Sequence, residues 1–77
     1  MTLKTLRELP VGDECRVVGT AFRGSEKRRM LDLGIVRGTK VKALHKSPCG
    51  DPMAYMIRGA VLAVRGSDAE KIFIGYR

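Results

Sequence analysis

MAYMIRGAVLAVR, residues 53–65, decides the architecture. Alternation puts Met53, Tyr55 and Ile57 on one face and Ala54, Met56 and Arg58 on the other, the period of two that a strand imposes on its side chains. Arg58, Gly59 and Ala60 then supply a tight turn into VLAVR, where Leu62 and Val64 alternate with Val61, Ala63 and Arg65. Two short strands joined this closely make an antiparallel hairpin with apolar side chains on both faces. One face can fill a core; the other needs a separate explanation.

Working outward, SPCGDP is dense in turn formers and connects the hairpin to TKVKALHK, in which Val41, Ala43 and His45 point one way and Lys40, Lys42, Leu44 and Lys46 the other. Further upstream, ECRVVGT alternates Cys15 and Val17 with Arg16 and Val18, a strand whose cysteine packs as a small hydrophobe. Between these strands, residues 25–33 follow a helical period, with Ser25 as N-cap, Glu26 in the first turn and Met30 and Leu33 on the buried side beside Phe22. Gly34 is placed to end this helix in a left-handed conformation, with Ile35 folding back on Met30 in a Schellman motif. Gly38 marks the turn into the next strand.

At the N-terminus, Leu3, Leu6 and Leu9 suit a helical turn or an extended segment covering a barrel end, stopped by Pro10 and Gly12. Downstream, Ser67 caps a turn through DAEK, and KIFIGYR closes the structure with Ile72, Ile74 and Tyr76 on one face. The expected fold is mostly β: a small, partly open barrel of about five strands, with one short helix between the first two and a helical turn before the last.

The chain has 77 residues, room for one domain (1–77) with a modest core. Cores of this size supply only about 3–5 kcal/mol, so an oligomer or a larger partner is expected. Two cysteines make no disulfide framework, and the N-terminus does not read as a signal peptide. No stretch approaches the roughly 20 apolar residues of a membrane span, so membrane insertion is not expected. The formal charge of +7 attracts anionic surfaces without choosing among nucleic acid, lipid and acidic protein.

No motif for nucleophilic, zinc-protease or phosphate-cradling chemistry is present, and the acids sit at caps and turns rather than in converging pairs; an enzyme is not expected. His45, Cys49 and Asp51 bracket one loop and are the grouping that resembles a site for Fe2+ or Zn2+, set against plain surface roles for all three. Lys27, Arg28, Arg29, Arg37, Lys40 and Lys42 could line a phosphate-gripping face, or simply keep a small domain soluble. The unexplained face of the hairpin weighs more. If Val41, Met53, Tyr55, Ile57, Leu62 and Val64 fill the barrel, then Leu44, Ala54, Met56, Val61 and Ala63 lie outside it, an apolar patch of the kind that contacts another chain. Leu44 and Met56 are its expected centre, with Arg28, Arg29, Arg37 and Arg58 steering the partner. A second copy of the chain would suit the same face.

LRELPVGDECRVVG, RRMLDLGIVRGTKVKAL, SPCGDPMAYMIRGAVLAVR and DAEKIFI, in that order, resemble the FeoA family over residues 3–74. The resemblance implies an SH3-like barrel, a cytoplasmic location that is peripheral to the membrane through a partner, and an accessory role in bacterial ferrous iron uptake. The implied partner is FeoB, a membrane transporter with a cytosolic GTP-binding domain. Leu31, Gly34, Gly38, Gly50, Pro52, Gly59 and Ala69 fall on the family's motif positions, and each is read as architectural. The barrel also resembles the C-terminal module of DtxR-type repressors. The leading function is thus a non-catalytic adaptor that modulates a transporter, with a nucleic-acid-binding barrel or an iron-responsive metal module as the alternatives.

Overall fold

The computed structural model of the protein describes residues 3–75. Tyr76, expected on the closing strand, lies outside the described residues. The strands are β1 (Leu3–Thr5), β2 (Glu14–Thr20), β3 (Lys40–Lys46), β4 (Met53–Ile57), β5 (Ala60–Val64) and β6 (Ile72–Gly75), with α1 (Gly24–Asp32) after β2 and α2 (Gly66–Ala69) before β6. They form one antiparallel sheet in the order β1-β6-β2-β3-β4-β5. The five expected strands are there, joined by a sixth: the N-terminal segment is both extended and helical, β1 followed at once by a 3-10 turn over Leu6–Glu8.

Two register shifts curl the sheet. One lies in the β2–β6 ladder, between Val17 and Gly19. The other lies between Ala43 and His45, opposite β4. An extra residue in one strand bends it and increases its twist, which is how a narrow sheet closes over a core. That core contains Leu6, Leu9, Cys15, Val17, Phe22, Met30, Ile35, Val41, Ala43, Tyr55, Ile57, Ile72 and Ile74, with Leu62 packed against it. The Tyr55 ring is fully buried, and its hydroxyl reaches the Leu6 carbonyl at 3.3 Å, tying the N-terminal turn over the end of the barrel.

The end of α1 follows the expected motif in full. The Ile35 amide donates to the Met30 carbonyl at 2.9 Å and the Gly34 amide to Leu31 at 3.0 Å, while Gly34 takes φ +89 and the Met30 and Ile35 side chains are both buried. The start of α1 differs. Arg23, not Ser25, is the extended N-cap, with no side-chain hydrogen bond, because the helix begins at Gly24. Leu33 also departs from expectation at 39% exposed, since the helix stops there and Ile35 takes the buried place. Leu31 contributes its backbone to the cap, but its side chain is 49% exposed and fills no core position.

Candidate docking surface

Cross-strand pairing assembles the outer face of the hairpin into rows. Glu14 stands opposite Lys42, Lys42 opposite Met56 and Met56 opposite Val61, one file across four strands. In the next file Ala54 lies between His45 and Ala63. Met56 and Ala54 are half-buried, Ala63 is exposed and Val61 is 57% exposed. The alternation read from the sequence therefore produces a continuous apolar strip, Met56, Val61, Ala54 and Ala63, on β4 and β5.

His45 belongs to this outer face rather than to the interior. The register shift after Ala43 places two successive residues, Leu44 and His45, on the side of Ala54, so strict alternation fails there. Leu44, expected with Met56 at the centre of the patch, is half-buried and lies at the border of the strip, while His45 is exposed.

Beside the strip is a groove of about 520 Å³ lined by Arg37, Lys40, Lys42 and Arg58 together with Glu14 and Met56. Lys40 lies 4.0 Å from Glu14, leaving an excess of positive charge around a methionine. Arg58 is held there by its backbone and its stem. It occupies φ 52, with Gly59 at φ 81, the pair of positive angles that a two-residue type I′ hairpin requires. Its side chain crosses Gly34, so closely that a Cβ on Gly34 would meet the Arg58 Cδ. A cation is well placed at this end of α1, where the helix dipole is negative.

The joint between α1 and β3 is pinned by Thr39, whose part the sequence reading missed. Its buried hydroxyl donates to the Gly34 carbonyl at 2.9 Å, and its carbonyl accepts from the Val17 amide at 2.9 Å. Gly38, at φ +91, donates to Val17 at 2.7 Å and accepts from Arg16 at 2.8 Å. A threonine following a turn glycine is a faint signal, since nothing in the local pattern tells a buried hydroxyl from a solvated one.

Arg28 and Arg29 do not join this groove. Arg29 lines a separate cavity of about 430 Å³ with Glu26, Met30, Arg65, Ser67 and Asp68, and Arg28 is exposed on α1 and lines neither. The expected steering set is therefore split, with Arg37 and Arg58 on the side of the apolar strip.

Nor do His45, Cys49 and Asp51 converge: among the described residues, no group of three or more His, Cys, Asp or Glu side chains is placed to hold a metal ion. Cys49 is exposed, and the Asp51 carboxylate accepts the Gly66 amide at 2.6 Å. Asp51 thus supplies from a distant loop the α2 cap expected from Ser67, which makes no such bond. Gly50, at φ +82, turns that loop, the Asp51–Pro52 peptide is cis, and Ala69 is packed into the core. Cys15, the other free thiol, is buried, and desolvation pushes it up from 9.0 to about 11, which leaves it protonated and unreactive at neutral pH.

An open SH3-like barrel with an apolar strip beside a cationic groove on its surface defines a binding module. The chain belongs to the FeoA family: the family's FeoA domain model matches residues 4–75. It is 34% identical over 67 residues to an Fe(2+) transport protein A/Fe(2+) transporter FeoB fusion protein of Porphyromonas gingivalis, covering 87% of this chain and 8% of that protein. The chain thus spans under a tenth of the length of that curated relative. Among solved structures it is similar to the FeoA protein of Chlorobium tepidum, with 40% identity, TM-score 0.84 and coverage of 91% of this chain and 67% of that one. A FeoA-like protein of Clostridium acetobutylicum has 36% identity and TM-score 0.86, with 97% and 88% covered. A manganese-dependent transcriptional repressor, at 17% identity and TM-score 0.84 over 96% of this chain and 36% of that one, shares the fold alone.

Proposed function

We propose that this protein is a non-catalytic accessory module of ferrous iron uptake, cytoplasmic, which docks on a FeoB-type transporter or its cytosolic GTP-binding domain and modulates it. The observation that carries the reading is the strip of Met56, Val61, Ala54 and Ala63 beside a groove lined by Arg37, Lys40, Lys42 and Arg58. An apolar centre with a charged rim is the anatomy of a protein contact. The Porphyromonas gingivalis fusion supports the choice of partner, since there a similar sequence is joined to a FeoB transporter in one chain. No helix among the described residues is long and apolar enough to cross a membrane, so attachment to the inner face of the membrane would run through the partner. Modulation requires unequal affinity for two states of the transporter, because equal binding shifts no equilibrium.

The test is capture of partners by the tagged protein from solubilised membranes of its own host, with a high-salt wash. A polytopic transporter bearing a GTP-binding domain and retained through the wash is the expected catch. Recovery only of nucleic acid that salt removes would assign the groove to phosphates instead, because binding driven by counterion release falls steeply with salt.

A further inference from the structure

β5 ends the sheet, and its partner there is β4 alone. Its sequence, AVLAV, carries none of the usual protections of an edge: no charge, no proline and no shift in its register with β4. The turn before it determines which backbone groups are free. In a two-residue type I′ hairpin the flanking pair, here Ile57 and Ala60, exchanges both hydrogen bonds, and bonded pairs recur at every second position. Tyr55 with Leu62 and Met53 with Val64 continue that series. The N–H and C=O groups of Val61 and Ala63 therefore face away from β4, along the open edge, and both side chains are exposed as well.

Charge decides what can pair there. Arg58, its stem lying over Gly34, and Arg65, which lines the cavity shared with Glu26 and Asp68, bracket β5, both exposed and neither in an ion pair with a described residue. A second copy, antiparallel and centred on Leu62, would set Arg58 of each chain beside Arg65 of the other at both ends, between chains of net charge +7. Like charges so placed oppose self-association, whereas carboxylates at the same two places would favour it.

We infer that the open edge of β5 is a strand-addition site for an extended partner segment with acidic residues at both ends. Val61 and Ala63 exchange backbone hydrogen bonds with the added strand, an apolar side chain of that strand covers Val61, and Arg58 and Arg65 pair with its carboxylates. This deepens the docking reading and rests on it for the identity of the partner.

Amide hydrogen exchange on the isotope-labelled protein tests it with two probes: the GTP-binding domain of the host's FeoB-type transporter, and a short synthetic peptide of alternating valine and threonine with glutamate at each end. The Val61 and Ala63 amides should exchange at least about tenfold more slowly with either probe, while Leu62, already bonded to β4, changes little. Ala63→Pro removes one outward N–H without touching the β4 ladder, a place where a strand tolerates proline. It should weaken binding by about tenfold, and Ala63→Val, which keeps the amide, far less. Domain binding with both amides still unprotected would overturn the strand-addition site and leave the docking reading standing. Protection by the peptide without binding of the domain would keep the site and remove the transporter as its partner. No binding of the domain together with no protection by the peptide would overturn both. If Ala63→Pro proves unfolded in a thermal melt, the exchange measurements on the wild-type protein decide alone.

Discussion

Gly34→Ala should be costly for two separable reasons. Gly34 sits at φ +89, a left-handed conformation that costs a residue with a Cβ about 1–2 kcal/mol. The new methyl also meets the Arg58 side chain, and forcing that chain off its rotamer adds roughly 0.5–1.5 kcal/mol. Together these come to about 2–3 kcal/mol, a large share of the ~3–5 kcal/mol that a core of this size supplies. In a domain of this length such a loss lowers Tm by roughly 10–20 °C in a thermal melt followed by circular dichroism. A double-mutant cycle separates the two parts. Arg58→Gly preserves the positive φ of the turn and removes the obstructing side chain, so Gly34→Ala on that background should cost about 1 kcal/mol less than on the wild type. A Gly34→Ala protein that melts with the wild type, or a cost unaffected by Arg58→Gly, would refute the reasoning.

Two further outcomes follow from buried and bonded groups. Burial raises the Cys15 thiol from 9.0 to about 11, so the neutral form is favoured in the folded state; its contribution is whole below about pH 9 and is lost as pH rises toward 11, where the folded thiol ionises too. Two pH units correspond to roughly 2–3 kcal/mol, and Cys15→Ala should flatten that part of a plot of stability against pH from urea melts; an unchanged slope contradicts the assignment. Burial raises Tyr55 in the same direction, so some alkaline decline persists in the variant. Asp51→Ala removes the acceptor for the Gly66 amide and should cost about 1 kcal/mol in the presence of a chelator, with no change when Fe2+ or Zn2+ is added instead. A loss of stability seen only with metal would make Asp51 a ligand rather than a cap.

The barrel strands, the hairpin with both its faces and the glycine ending of α1 were legible because each rests on a local rule: alternation, a two-residue turn, a helix stop. What was not legible depended on residues distant in the chain. Strict alternation sends His45 inward, but the register shift opposite β4 reverses it, and a shift is a property of the pairing, not of either strand. Ser67 has the chemistry of a cap for α2, yet Asp51 holds the Gly66 amide from fifteen residues away, and that same bond commits one of the three residues read as metal ligands. Leu33 continues the helical period in the sequence, but the helix has stopped and Ile35 occupies the core. The apolar patch came through because Met56, Ala54, Val61 and Ala63 face one another across a turn of known geometry. Of the arginines read as steering residues, Arg37 in the joint before β3 and Arg58 in the hairpin turn line the groove beside the patch, and those on α1 do not.

The central claim is that Met56 and its neighbours form the contact with the transporter. The most direct measurement is a calorimetric titration of the host transporter's soluble GTP-binding domain with the wild-type protein and with Met56→Asp, each checked for an intact fold by its melt. Saturable binding by the wild type, weakened at least about tenfold by Met56→Asp, a loss of about 1.4 kcal/mol, is the predicted result. Equal affinity of the two proteins, both folded, would contradict the placement of the contact, and no binding by either would contradict the claim itself.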